Sequence, residues 1–526
     1  MLGKQLSIIA QYFADCGIVD WVISPGSRNA PIVAALIKNR SFKFYSSPDE
    51  RSAAFTAMGM AISNGKPAGF LCTSGSALSN AYPAVLESYY SRVPLLIVSA
   101  DRPEELIDQW DGQTIRQKNF FGNYVRSFAH INARYDKLQN SNQNIKKCIS
   151  ISTGPISGPV HINISLSEPI YEGIEDQKQI DSQNSNVNSD TLLHEYRLDY
   201  DLSSEIQSSK QIALIIGQGF RKNDVSTVLE SLATKIPVFA DITSGYSEIG
   251  LTNWDWGLLK RIIPDNLKPD LIITLGMGII SKPLKLAMRK WSPEHLHVSE
   301  ASEIGDPFQT QPKHLPFNEI HFLRDLNKLL IGRESNFLNN WNSFIESQIL
   351  IAQELPIPFN LELCFVQDLI KNSDENYHLH FGNSMSVRYA SWSIKGASRI
   401  FSNRGVSGID GCISTALGDA LVNPDKKIIV IAGDITSLYD ANSFWGDWPI
   451  NFHLIILNNH GGAIFDWIDG PNKLPDLRNF IHTPHSKSFN YLAQLHKKSF
   501  QKVELQSQTI TLNEILNTQV IELVTQ

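Results

Sequence analysis

Ile428-Ile429-Val430-Ile431-Ala432-Gly433-Asp434 is an apolar run that ends in a glycine and a carboxylate. About twenty-five residues on, Leu454-Ile455-Ile456-Leu457-Asn458-Asn459 repeats the pattern and ends in two amides. Each run reads as a buried strand, and each polar pair sits where strand gives way to loop, the edge at which open α/β sheets bind ligands. A carboxylate, a side-chain amide and the turn His460-Gly461-Gly462 offer only hard oxygen donors, which suit a magnesium ion that keeps phosphate oxygens in its shell. Gly-Asp or Asn-Asn alone is an ordinary turn former. Together, at this spacing, they favour a metal and diphosphate anchor.

Working outward, short apolar runs alternate with amphipathic segments from Lys4 to about Ser167: Trp21 to Ile23, Pro31 to Ile37, Gly69 to Leu71, Leu95 to Ser99 and Val160 to Ile164. That rhythm predicts a parallel sheet flanked by helices. Glu175 to Asp190, rich in Asn, Gln, Ser and Asp, reads as a linker. A second α/β block starts at Ile212 to Ile216, runs through Pro237 to Phe239 and Leu271 to Leu275 to Leu296-His297-Val298, and closes near Leu330. A helical connector, Asn336 to Glu354, leads to Pro356-Ile357-Pro358, and the third block carries both anchor pairs. The expected fold is therefore α/β, with three doubly wound parallel-sheet domains at residues 1–174, 191–335 and 356–526. Gly217-Gln218-Gly219 after a strand hints at dinucleotide binding. Asn223 stands where the last glycine of that fingerprint belongs and no acidic ribose partner stands out, which argues against it.

The 526 residues, 42% of them hydrophobic, suffice for about three cores of ordinary size. A formal charge of −7 without any Lys/Arg-rich tract gives no general attraction to nucleic acid or anionic membrane. No leader-like or membrane-spanning apolar stretch is present, so the cytoplasm is the expected location. Five scattered cysteines without CxxC spacing argue against zinc and a disulfide framework and are expected to be buried thiols.

Charge collects in loops. Ser24-Pro25-Gly26-Ser27-Arg28 follows one strand and precedes a helix, so its amides can meet an anion and Arg28 can bind a carboxylate. Asp101-Arg102-Pro103 ends another strand. Gln113 to Gln117 contains Arg116, Arg388 lies four residues beyond Ser384, and Arg404 sits in Ser402-Asn403-Arg404-Gly405. One such arginine is uninformative; five, in an acidic protein, suggest a pocket for several carboxylates. Glu50, in Asp49-Glu50-Arg51, opens a small-residue helix, Ser52 to Ala61, where a carboxylate ordinarily complements the helix dipole.

Gly-Asp followed by Asn-Asn resembles the cofactor motif of thiamine diphosphate enzymes. By that resemblance Asp434, Asn459 and the carbonyl of Gly461 hold magnesium, or manganese in its place, and Glu50 is the carboxylate set against the cofactor's aminopyrimidine ring. The resemblance narrows with Ser24 to Arg28 and Asn29-Ala30-Pro31, Asp49 to Arg51, Thr73-Ser74-Gly75-Ser76-Ala77, Asn80 to Ala84, Ala100 to Pro103, Gln113 to Gln117, Gly382-Asn383-Ser384, Ser402 to Asp410 and Gly461 to Phe465. Across nearly the whole chain these segments are similar to the 2-succinyl-5-enolpyruvyl-6-hydroxy-3-cyclohexene-1-carboxylate synthases of menaquinone biosynthesis. The resemblance implies decarboxylation of 2-oxoglutarate and 1,4-addition of the resulting succinyl semialdehyde carbanion to isochorismate.

It further implies that Glu50, Arg28, Gln113 and Arg388 act in catalysis. Glu50, Ser384, Ile409, Gly433, Asp434, Ile435, Asn459, Ile464 and Phe465 would bind the cofactor, Ile409 as the wedge that bends it. Ser27, Arg28, Arg102, Gln113, Lys282, Ser384, Arg388, Arg404, Ile464 and Phe465 would bind substrate. Pro283 stands where the family often has a second basic residue, and Gly112 where some members have asparagine. The sequence stops at Gln526, short of a final helix that the resemblance leads one to expect. A homodimer, or a homotetramer, is implied, with Glu50 and Asp434 of one site on different chains. The rival readings are another thiamine-dependent 2-oxoacid decarboxylase or carboligase, a catalytically silent homologue, and a nucleotide-binding regulator using the middle block.

Overall fold

A computed structural model describes residues 2–171, 200–220, 225–258, 263–333, 336–349, 359–393, 398–467, 473, 476 and 478–525. Three parallel sheets follow one another along the chain. The first contains β1 (Asp20–Ile23), β2 (Lys43–Ser46), β3 (Ala68–Cys72), β4 (Leu95–Asp101), β5 (Ser127–Asn132) and β6 (Val160–Ser165) in the order β2-β1-β3-β4-β6-β5. The second contains β7 (Ile212–Ile216), β8 (Val238–Ala240), β9 (Leu271–Leu275), β10 (Glu294–Val298) and β11 (Lys313–Leu315) in the order β11-β10-β9-β7-β8. The third contains β12 (Tyr377–Phe381), β13 (Arg399–Phe401), β14 (Lys427–Gly433), β15 (Phe452–Asn458), β16 (Phe500–Glu504) and β17 (Val520–Val524) in the order β13-β12-β14-β15-β17-β16. This is the α/β, three-sheet architecture expected from the apolar runs. Those runs lack polar alternation because helices cover both sheet faces: every residue of β3, β4, β6, β7, β9, β12 and β15 is buried.

In each sheet the second strand lies on one side of the first and the third strand on the other. This leaves a crevice at the carboxyl ends between β1 and β3, β7 and β9, and β12 and β14. At the middle crevice the two loops bond each other: Gln218 N donates to Gly278 O at 2.9 Å and Met277 N to Gln218 O at 2.9 Å. Gln218 and Gly219 of that turn also line a cavity of about 560 Å³ together with Glu87, Thr243, Met277 and Asn403. The outer two crevices carry the loops singled out for charge.

The expected linker, 175–190, and the Pro-rich segment 356–358 lie outside the described residues. The expected connector forms the helix Asn336–Ile349, whose Phe337, Trp341 and Ile345 bury into the core beside the second sheet. Trp341 packs edge-on to Phe239 of β8 at 4.9 Å. It therefore serves as a structural part of the middle unit. All five cysteines are free; Cys72, Cys148 and Cys412 are buried as expected, Cys16 is half-buried, and Cys364 lies exposed on the helix Phe359–Lys371. Among the described residues no helix is long and apolar enough to cross a membrane.

The first and third units are joined within the chain by two helices of small residues, Glu50–Asn64 and Cys412–Val422. A Cβ on Gly59 would fall 1.9 Å from Thr415 O, and one on Gly418 2.0 Å from Thr56 O. Only glycine permits that approach. Ser52 and Ser414 share a hydroxyl hydrogen bond at 2.8 Å, and Ser63 Oγ donates to Asp419 Oδ1 at 2.5 Å.

Candidate active site

The residues of the candidate metal anchor come together at the carboxyl edge of the third sheet. β14 delivers Asp434 to the start of a helix, where it is 2% exposed. Its Oδ1 accepts Ile435 N at 2.7 Å and its Oδ2 accepts Gly461 N at 2.9 Å, which ties the two anchor segments together. Burial raises the Asp434 pKa, while these amides and the nearby His485 and His460 pull it down. Gly461 has φ +143, and a Cβ there would lie 2.6 Å from the His482 ring. Asn459 donates Nδ2 to Glu362 Oε1 at 3.0 Å, whereas its Oδ1 is buried without a partner. A buried amide oxygen needs a partner, and an oxygen-preferring cation at this carboxylate and turn supplies one. The residues therefore fit magnesium.

Glu362 went unread in the sequence. It lies on the inner face of the helix Phe359–Lys371 and also accepts Tyr389 Oη at 2.6 Å and Thr525 Oγ1 at 3.2 Å. Burial pushes its pKa up to about 7, against the lowering by those donors. A glutamate among the apolar residues Leu361, Leu363 and Phe365 was the available signal.

The loops after β12 and β13 form one unit. Asn383 Nδ2 donates to Asn403 O at 2.7 Å and Gly408 O at 2.6 Å, and its Oδ1 accepts Arg404 Nη1 at 2.8 Å. Ser384, at φ +71, turns the chain into the helix Met385–Ser391, and its carbonyl accepts Arg388 Nη1 at 2.5 Å. Glu87, buried on the helix Tyr82–Tyr90 of the first unit, accepts Gly405 N at 2.6 Å and Val406 N at 2.8 Å. A Cβ on Gly405 would meet Glu87 O at 2.5 Å, so the loop carrying Arg404 is pinned from the first unit. Arg388 and Arg404 are half-buried and mutually repelling; burial first and, for Arg388, the charge of Arg404 second lower their affinity for protons. Lys282 is exposed at the start of the helix Lys282–Trp291, whereas Lys285, one turn on, is half-buried near both arginines. Ile409 and Ile435 are half-buried, Ile464 belongs to the third unit's core, and Phe465 is 37% exposed.

At the β1/β3 crevice, Arg28 is buried, donates Nη1 to Leu166 O at 3.1 Å and pairs with Glu168 at 3.0 Å. Burial and then the neighbouring charge of Arg102 lower its pKa. Arg102 Nε is buried without a partner, and its Nη1 lies 3.8 Å from Asp111. Gly26 packs so closely on Thr73 that a Cβ would lie 2.3 Å away, and Gly75 lies against the backbone of Gln113, which has φ +58. Ser27, Arg28, Arg102 and Gln113 thus belong to loops gathered at or beside one crevice, with Ser27 and Gln113 exposed. Arg116 stands apart, its side chain 81% exposed and paired with Asp108.

Glu50 opens its helix as expected, with Asp49 as the cap accepting Ser52 N at 2.8 Å, and Asn80 donates Nδ2 to Glu50 Oε2 at 3.1 Å. Within the single chain, no hydrogen bond or ion pair among the described residues joins Glu50 to Asp434, Asn459 or Gly461.

Residues 5–120 match the family model described as thiamine pyrophosphate enzyme, N-terminal TPP binding domain. A Cytophaga hutchinsonii protein named 2-succinyl-5-enolpyruvyl-6-hydroxy-3-cyclohexene-1-carboxylate synthase is 36% identical over 501 residues, covering 91% of this chain and 88% of the relative. Proteins of the same name from Flavobacterium psychrophilum and Desulfotalea psychrophila are 35% and 32% identical, covering 92% and 95% of this chain and 88% and 94% of their own. With the match running through all three sheets, the chain belongs to the 2-succinyl-5-enolpyruvyl-6-hydroxy-3-cyclohexene-1-carboxylate synthase family of thiamine diphosphate enzymes.

Proposed function

We propose that the protein decarboxylates 2-oxoglutarate and joins the remaining four-carbon unit to isochorismate, in the pathway to menaquinone. The carboxyl group leaves as carbon dioxide, its bonding electron pair becomes the new carbon–carbon bond, and the conjugated acceptor takes up a proton. The observation that carries this reading is the set of half-buried cations without carboxylate ion pairs among the described residues at the third crevice, together with Arg28 and Arg102 at the first. Such charges call for anionic substrates, and both proposed substrates are dicarboxylates.

When bound, thiamine diphosphate supplies the carbon nucleophile and electron sink that decarboxylation of a 2-oxo acid requires. Asp434, Asn459 and the Gly461 carbonyl would hold the magnesium ion, and Gly433 and Ile435 would contribute to cofactor binding. Glu50 would hold a proton toward the aminopyrimidine ring of a cofactor bound across a homodimer, with the rest of that site on the other chain. Ile409, Ile464 and Phe465 form an apolar wall that excludes water and strengthens every charge interaction inside. Ser27, Arg28, Arg102, Gln113, Lys282, Ser384, Arg388 and Arg404 bind and orient the carboxylates and hydroxyls of the substrates.

Purified protein with magnesium and thiamine diphosphate, given 2-oxoglutarate with and without isochorismate, tests the reading. The expected result is carbon dioxide release coupled to a succinylated cyclohexene product. Carbon dioxide release that never yields that product would assign the chain to a different thiamine-dependent carboligase.

A further inference from the structure

The segment Ser281-Lys282-Pro283-Leu284-Lys285 begins a ten-residue helix with serine as its cap and proline in its first turn. Leu284, Met288 and Trp291 form its buried face, so Lys285 stands on the shoulder of that face and Lys282 outside it. The start of this helix is locked onto the third unit. Asp255 accepts Ser391 Oγ at 2.7 Å, and Ser391 closes the helix that carries Arg388. Trp256 packs against Trp392 with ring centroids 5.6 Å apart, and Trp256 and Ile280 both sit in the third unit's core. Lys285 is thereby held near Arg388 and Arg404.

We propose that Lys285 is the third cation of a carboxylate-binding site that it forms with Arg388 and Arg404. The proposal rests on the dicarboxylate reading given above. None of the three cations forms an ion pair among the described residues; Arg388 and Arg404 are held by neutral oxygens of Ser384 and Asn383. Asp241, Glu87 and Asp255, whose charges act on the cluster, hydrogen-bond elsewhere. Asp241 accepts Thr243 N, Thr243 Oγ1 and Ile280 N at 2.9, 2.6 and 2.7 Å, Glu87 accepts Gly405 N and Val406 N, and Asp255 accepts Ser391 Oγ at 2.7 Å while its Oδ1 is buried without a partner among the described residues. Three partly desolvated like charges repel one another, and an entering carboxylate relieves that repulsion. The arginines provide planar forks and Lys285 a compact point charge.

Burial, then the charge of Arg404, already lower the Lys285 pKa, which makes its amine a good target for acylation. In the wild-type holoenzyme, glutarate, a five-carbon dicarboxylate without the reacting keto group, is expected to protect Lys285 from an acylating reagent, read by peptide mass spectrometry. Lys290, exposed on the same helix, should label as before. Lys285→Gln is expected to raise KM for at least one substrate about tenfold, as loss of a charge-assisted hydrogen bond does, with the thiamine diphosphate Kd unchanged, and Lys285→Arg should restore it. The proposal is overturned if Lys285→Gln leaves both KM values within about threefold of wild type, or if glutarate shields Lys290 as well as Lys285. A wild-type enzyme that turns over neither substrate defeats the proposed reaction, while the labelling result still decides the site.

Discussion

Asn459 donates its amide Nδ2 to Glu362 at 3.0 Å, and that single bond fixes which end of the amide faces the candidate metal anchor. An outer partner that orients a ligand typically contributes 10- to 100-fold to metal affinity. Glu362→Leu should therefore raise the magnesium concentration needed for cofactor-induced thermal stabilisation by about 10- to 100-fold. It also strands the Tyr389 hydroxyl and should cost on the order of 2–3 kcal/mol in urea unfolding. An unchanged magnesium midpoint would remove Glu362 from this role.

Glu50→Gln keeps the size of the side chain but not its charge. Turnover should fall by at least about 100-fold, the lower range for a lost acid–base group. Cofactor affinity, followed by fluorescence quenching, should change little. Turnover like wild type would separate Glu50 from the chemistry.

Gly418→Ala would drive a methyl group into the Thr56 carbonyl, 2.0 Å away in the present packing. Both helices must shift, so stability should drop by about 1–3 kcal/mol, as overpacking does. The helix that shifts begins at Glu50, so kcat should fall as well. Urea unfolding and steady-state kinetics together check this.

Asp440 accepts Ser414 N at 2.8 Å and Ser414 Oγ at 2.9 Å, yet burial dominates and pushes its pKa from 3.8 up to about 6. Because the folded value is the higher one, the stability it contributes is complete below 3.8 and is lost as pH rises through about 6. Asp255 behaves alike, burial raising it to about 6. Between pH 4 and pH 7 the metal-free Asp440→Asn variant should lose less stability than wild type, by on the order of 3 kcal/mol. Parallel slopes in urea unfolding across that range would contradict the assignment.

Much of this molecule is written in uninterrupted apolar runs, because a parallel sheet buried on both faces leaves little room for other patterns. β14 and β15 announce themselves, and so do the oxygen donors at their ends. β12 does not: Tyr377-His378-Leu379-His380-Phe381 resembles a strand with one wet face, but both histidines are buried against Asp419 at 2.8 and 2.7 Å. Arginines in loops were readable because charge in a turn asks for a reason. Lys285, Glu87 and Glu362 were hidden for the opposite cause. On a helix, an acidic or basic residue looks like ordinary solvent-facing surface until the neighbouring unit closes over it.

Glu87 also limits how the chain can be divided. The third sheet owns Arg404, but the backbone around that arginine borrows its hydrogen-bond acceptors from a helix more than three hundred positions earlier. An excised third unit would keep the strands and lose the aim of its guanidinium. Recombination that swaps this unit between homologues should succeed only when the donor's loop and the recipient's carboxylate travel as a pair.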